Sequence, residues 1–166
     1  MQSLLSRILL PLATACLIFS ACHTLDDDRI PAVPVRVAFN SLSEWEYYGV
    51  TGAMQHKSFI LQEHIPPNFP YTAISRTGFG GILLVTDIHG VPVAYDLACP
   101  VERKADIRIL VDDEANVAEC PHCHSTYDIY SNLGHPLSGE AARQGYGLSR
   151  YYVGPGLQGE YMVINR

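Results

Sequence analysis

The sequence predicts an all-β fold, an antiparallel sandwich or barrel, on three observations. Thirteen Gly, 11 Pro and ten Tyr in 166 residues leave few stretches suited to a long helix. Short apolar runs recur between turn signals, the spacing of an antiparallel framework. No segment carries a long amphipathic 3.6-residue period, and no internal repeat is visible. The length suits one domain plus whatever lies at its ends. With 48% hydrophobic and 17% charged residues the chain can bury a core and is too apolar for general disorder.

The elements follow in order. Residues 33–39 (Val-Pro-Val-Arg-Val-Ala-Phe) alternate with the period of a half-buried strand. Residues 41–46 suit one short helical turn, with Ser41 as cap and Glu44 in the capping-box position. Tyr47 to Thr51 reads as a strand ended by Gly52. Lys57 to Leu61 is a further strand candidate, and Ile65 to Pro70 is a proline-fixed extended loop. The clearest hairpin pairs the apolar run 81–86 with residues 91–96, across a turn at 87–90 in which Gly90 is free to take positive φ. Strands are expected at 106–111 and 117–119 around the acidic turn 112–116. The last pair is 148–153 and 161–165, with Gly-Pro-Gly at 154–156.

The N-terminus reads as a targeting segment. Arg7 precedes an apolar run from Ile8 to Phe19, too short to span a bilayer comfortably, and Ser20-Ala21-Cys22 follows. The small residues before Cys22 resemble a bacterial lipobox, which implies cleavage before Cys22 and acylation of it. The organisation expected is therefore a lipoprotein signal peptide at 1–21, an acidic and proline-bearing tether at 22–34, and a β domain at 35–166. Asp26-Asp27-Asp28 and Pro31 and Pro34 suit a solvated linker. The expected location is the bacterial cell envelope, at the inner or outer membrane, with the periplasmic or surface face left open. A net charge of −6 and the absence of any Lys/Arg cluster exclude nucleic acid as a partner.

Two cysteine-bearing loops carry the chemistry. One is Leu97-Ala98-Cys99-Pro100-Val101-Glu102; the other runs from Glu119 through Cys120-Pro121-His122-Cys123-His124 to Asp128. Each follows an apolar strand and each begins with Cys-Pro. The twenty residues between Cys99 and Cys120 allow a hairpin that brings the loops side by side, as a metal site or a disulfide requires.

From Ile82 to Asn165 the sequence resembles the Rieske iron–sulfur domain. That family's loops read Cys-x-His and Cys-x-x-His, the second often followed by Gly-Ser-x-Tyr-Asp. In such centres two Cys hold one iron and two His hold the other. Residues 82–96 match the hairpin leading into the first loop, Ser125 to Ile129 the segment after the second histidine, 132–141 the downstream glycine-rich stretch, and 148–153 the closing strand. The resemblance places Cys99 and Cys120 at the cysteine positions. The first histidine position falls on Val101, which cannot bind metal, and the second on Cys123, or on His124 after a one-residue shift. His89, His122 or His135 would have to replace the lost imidazole.

Three outcomes stay open. In the first, Cys99, Cys120, Cys123 and a histidine such as His124 bind zinc or an unusual [2Fe–2S] site. In the second, the scaffold has no cofactor and two of the three cysteines form a disulfide across the loops, as an oxidising compartment favours. In the third, Cys120 and Cys123 are a redox-active pair. The adopted expectation is a metal-free, disulfide-stapled binding or structural module, anchored by lipid and docked on an envelope protein; the alternative is a [2Fe–2S] electron carrier or a zinc site. No catalytic residue is expected. His56 and His64 read as surface residues, Glu44 to Tyr48 as a packed aromatic edge, and Gly78 to Gly81 as a bent turn, since no helix follows it for phosphate binding.

Overall fold

The structure, a computed structural model, describes residues 25–155 and 161–165. The segment expected as a signal peptide, Cys22 and part of the Gly-Pro-Gly turn lie outside the described residues.

Residues 35–39 form β1 (Val35–Phe39), and the alternation expected there is seen: Val35, Val37 and Phe39 are buried, with Arg36 and Ala38 between them. The helix α1 (Leu42–Tyr48) follows. Ser41 Oγ accepts the Glu44 N–H at 3.1 Å, as the capping pattern requires. Glu44 in turn accepts the Asn40 N–H. The helix runs through Tyr47 and Tyr48, so the strand expected from Tyr47 is not formed. Trp45 decides this: it is buried edge-on to Phe39 and stacked on Tyr161 at 4.1 Å between centroids, a long-range contact that outweighs the β propensity of the tyrosines.

Strands β2 (His56–Phe59), β3 (Arg76–Thr77), β4 (Ile82–Thr86), β5 (Pro92–Asp96), β10 (Arg150–Pro155) and β11 (Tyr161–Ile164) join β1 in a seven-stranded antiparallel sheet of order β2-β4-β5-β10-β11-β1-β3. The sheet curls until its edges approach: the Leu61 N–H just beyond β2 donates to Thr77 Oγ1 on β3. Between β2 and β3 the chain runs through Pro66, Pro67 and Pro70, and the Ile65–Pro66 peptide is cis. A second sheet holds β6 (Leu110–Asp112), β7 (Val117–Glu119), β8 (Thr126–Asp128) and β9 (His135–Pro136), in that order. A short helix, α2 (Gly139–Gln144), follows β9. The fold is thus antiparallel β, as expected, with a near-closed sheet and a smaller one beside it.

The run 82–85 is apolar throughout because β4 is buried on both faces. Ile82 and Leu84 enter one core with Phe39, Trp45, Phe59 and Phe69. Leu83 and Val85 enter the other, between the sheets, with Tyr95, Leu97, Ile109, Tyr127 and Leu148. That second core also contains Cys99 and Cys120, so the cysteine loops are fixed to the packed interior of the molecule.

The expected solvated tether is not free. From Leu25 onward the chain lies against the body. The Asp26 N–H donates to Gly145 O and the Gly147 N–H to Asp26 O, both at 2.8 Å. Ser149 Oγ donates to Asp27 O, and Arg150 pairs with the Asp27 carboxylate at 3.1 Å. The Arg29 guanidinium stacks on Tyr146 and its Nε donates to Pro100 O at 3.0 Å. Acidic composition suggested solvation, but Asp27 has a cation in place and the backbone of Asp26 has a strand-like partner.

Candidate metal centre

The first loop leaves β5 at Asp96 and the second leaves β7 at Glu119. Asp96 is fully buried and fixes the entry to the first loop. Its carboxylate accepts the N–H groups of Phe79, Gly80 and Ala98, and the Tyr151 hydroxyl. Burial pushes its carboxyl above the usual range, against the pull of those donors. Gly80 is required here, because a Cβ would lie 2.5 Å from the Ala98 nitrogen. The segment expected as a strand from Asp106 lies against this loop instead: the Cys99 N–H donates to Ile107 O and the Ile109 N–H to Leu97 O. Regular pairing begins only at Leu110.

The two loops share one conformation. Cys99 O accepts the Arg103 N–H at 2.8 Å and Cys120 O accepts the His124 N–H at 2.9 Å. Arg103 and His124 both have φ of 55°. The N–H groups of Val101 and Glu102 face the Cys99 sulfur, and those of His122 and Cys123 face the Cys120 sulfur. In each loop, therefore, the second and third residues after the cysteine turn their N–H groups back to its sulfur. This geometry favours a thiolate or a metal-bound sulfur.

Three sulfurs meet at the loop tips. Those of Cys99, Cys120 and Cys123 all lie within 4.8 Å of one another. Cys99 and Cys123 are 3.6 Å apart. All three are free thiols, so the expected loop disulfide is not formed; a bond would need about 2.05 Å. Cys99 and Cys120 are fully buried and Cys123 is partly exposed. Burial pushes the Cys99 thiol up to about 12 and raises Cys120 as well. Burial also acts to raise Cys123, but bonds from Ser125 and the neighbouring thiols outweigh it and hold that thiol below its ordinary value. Around the triad, Tyr127 Oη stands 3.7 Å from the Cys99 sulfur and Ser125 Oγ 3.4 Å from that of Cys123. Ser125 also accepts the Ala141 N–H at the start of α2.

None of the described histidines joins the triad. His124 is 75% exposed and its Nδ1 sits 2.9 Å from Glu119 Oε1. Its place as a fourth ligand therefore has no support in the geometry, because the left-handed backbone at 124 turns the ring outward. His122 pairs with Glu102 at 2.8 Å. His56 pairs with Asp113, and His89 and His135 are exposed away from the triad. A Rieske-type [2Fe–2S] group does not fit these donors. Val101 packs against the core where one imidazole is needed, and a thiol stands where the other is needed. Ligands on two different irons are also kept apart by the cluster between them, whereas these sulfurs converge on one point. Three thiols around one point suit a single soft cation.

Sequence reasoning found all three cysteines of the triad and did not single out Glu102, whose carboxylate pairs with His122 across the two loops. The available signal was register: Glu102 stands three residues after Cys99, as Cys123 stands three after Cys120.

No family model matches the chain, and no curated protein matches it. Among solved structures, a protein assigned as the NADH-dependent nitrite reductase small subunit of Mycobacterium tuberculosis is similar at 13% identity and a TM-score of 0.41, over 81% of this chain and 97% of that one.

Proposed function

We propose that this domain is a metal-binding module in which the thiolates of Cys99, Cys120 and Cys123 hold one soft divalent cation of the zinc class. The observation that carries the reading is the convergence of the three sulfurs. Two thiolates on one tetrahedral ion with bonds of about 2.3 Å stand about 3.8 Å apart, close to the 3.6 Å between Cys99 and Cys123. A bound ion would cross-link the two loops and add its binding free energy to folding. The chain's own residues supply the rest. Backbone N–H groups spread the charge of the Cys99 and Cys120 sulfurs, and the core between the sheets excludes water beneath them. The lipobox-like stretch at Ser20-Ala21-Cys22 supports a lipid anchor on Cys22, and with it a place in the bacterial envelope beside an envelope protein.

Metal analysis of the full chain purified without chelators tests the centre. One zinc or iron per chain is expected, lost in Cys99→Ser, Cys120→Ser and Cys123→Ser. A protein that neither retains nor takes up metal refutes it, as does one that holds two irons with inorganic sulfide. For the anchor, membrane retention lost on Cys22→Ser is expected; an unmodified Cys22 in the isolated protein refutes it.

A further inference from the structure

We infer that the Glu102 carboxylate is the fourth donor of the cysteine centre, so that a bound cation is held by three thiolates and one oxygen. This deepens the metal-binding reading and rests on it. The argument begins with the equivalence of the two loops. Both are closed by the same hydrogen bond from the fifth residue to the first, both place that fifth residue at φ of 55°, and both turn the same two N–H groups onto the first cysteine's sulfur. In the second loop this conformation brings residues one and four, Cys120 and Cys123, to the same point. In the first loop residue one is Cys99 and residue four is Glu102. Glu102 thus occupies in the first loop the position from which Cys123 supplies its sulfur in the second.

Burial is the second observation. The Glu102 side chain is only 16% exposed, while its partner His122 is 63% exposed. A sheltered acid thus stands in the same loop as Cys99. Arg103 and Lys104, next in sequence, are exposed instead. His122 holds the carboxylate by one oxygen at 2.8 Å, outside the sulfur cluster. His122 is itself a residue of the second loop, so the Glu102–His122 pair bridges the two loops beside the sulfurs. Ligation by Glu102 would require its side chain to turn so that the other oxygen faces the sulfurs while the imidazole keeps its hydrogen bond. Ligating carboxylates are commonly held by such an outer partner, and oxygen donors are ordinary on zinc.

The test titrates the metal-free full chain with Zn²⁺ and, separately, Co²⁺, comparing wild type with Glu102→Gln and Glu102→Cys. Zinc affinity should fall by at least about tenfold in Glu102→Gln, the lower bound for disturbing a metal's ligand environment. In Glu102→Cys the visible cobalt bands should move to longer wavelength and the sulfur-to-cobalt band should grow, the signature of a fourth thiolate. Equal zinc affinity and an identical cobalt spectrum in wild type and Glu102→Gln overturn the assignment of Glu102 and leave the three-thiolate centre standing. A wild type that binds neither ion overturns both. Should Glu102→Gln prove unstable without metal, the cobalt spectrum of Glu102→Cys decides: a four-thiolate spectrum supports the inference, and a spectrum unchanged from wild type refutes it.

Discussion

Cation binding at the cysteine triad should be steeply dependent on pH. A protonated thiol cannot ligate, so each thiol that is neutral before binding must release its proton to the solvent. Burial holds Cys99 at about 12 and raises Cys120 above its ordinary value, so both are neutral thiols at pH 7. Cys123 is held low and contributes a third proton only below its own pKa. Each ion therefore displaces at least two protons between pH 6 and pH 8. The sign is fixed: protons compete with the metal, so affinity rises with pH. Two protons correspond to about 2.7 kcal/mol per pH unit, or about a hundredfold in the association constant. Competition against a chromophoric chelator at pH 6, 7 and 8, corrected for the chelator's own titration, measures the slope. Proton release into a weakly buffered indicator gives the stoichiometry directly. A slope below about tenfold per pH unit, or one proton or fewer per ion, would show that the buried thiols are not the ligands.

Three further outcomes are expected. The metal-free protein should lose stability in alkali: the Cys99 thiol titrates at 9.0 when exposed and at about 12 when folded, so its contribution is intact below pH 9 and lost as pH rises toward 12, which urea unfolding at pH 8 and pH 11 would reveal. Leu83→Ala, in the core between the sheets beneath the cysteines, should cost about 3 kcal/mol and lower the urea midpoint; a loss under about 1 kcal/mol would mean that this core is not closely packed. Asp27→Asn weakens the pair with Arg150, which is partly exposed, and should cost no more than about 1 kcal/mol, while hydrogen exchange at the Asp26 and Gly147 amides quickens; unchanged exchange would show that the pair does not hold the N-terminal segment.

The fold was legible where burial writes its own pattern. The apolar run at 82–85 and the turn at Gly90 marked the β4–β5 hairpin because that strand is covered on both faces and its turn needs positive φ. The helix through Tyr48 was not legible beyond its cap, since Trp45 is held by Tyr161, more than a hundred residues away. Strands of two or three residues, such as β8 and β9, are too short to show a period. At the site, the cysteine types and the Cys-Pro starts were enough to bring the loops together. The state of the sulfurs was not, because spacing alone does not separate a bonded pair from a trio around an ion. The outward turn of His124 depends on a backbone angle that residue identity does not reveal.

The docked N-terminal segment has a consequence for how the molecule sits. Leu25 is only three peptide steps beyond Cys22, a span of about 11 Å at most. With the proposed lipid on Cys22, the β body cannot sweep freely above the bilayer like a buoy on a long line. So anchored, it would ride close to the headgroups, and because Arg29 grips the carbonyl of Pro100, the tethered segment would run beside the rim of the first cysteine loop.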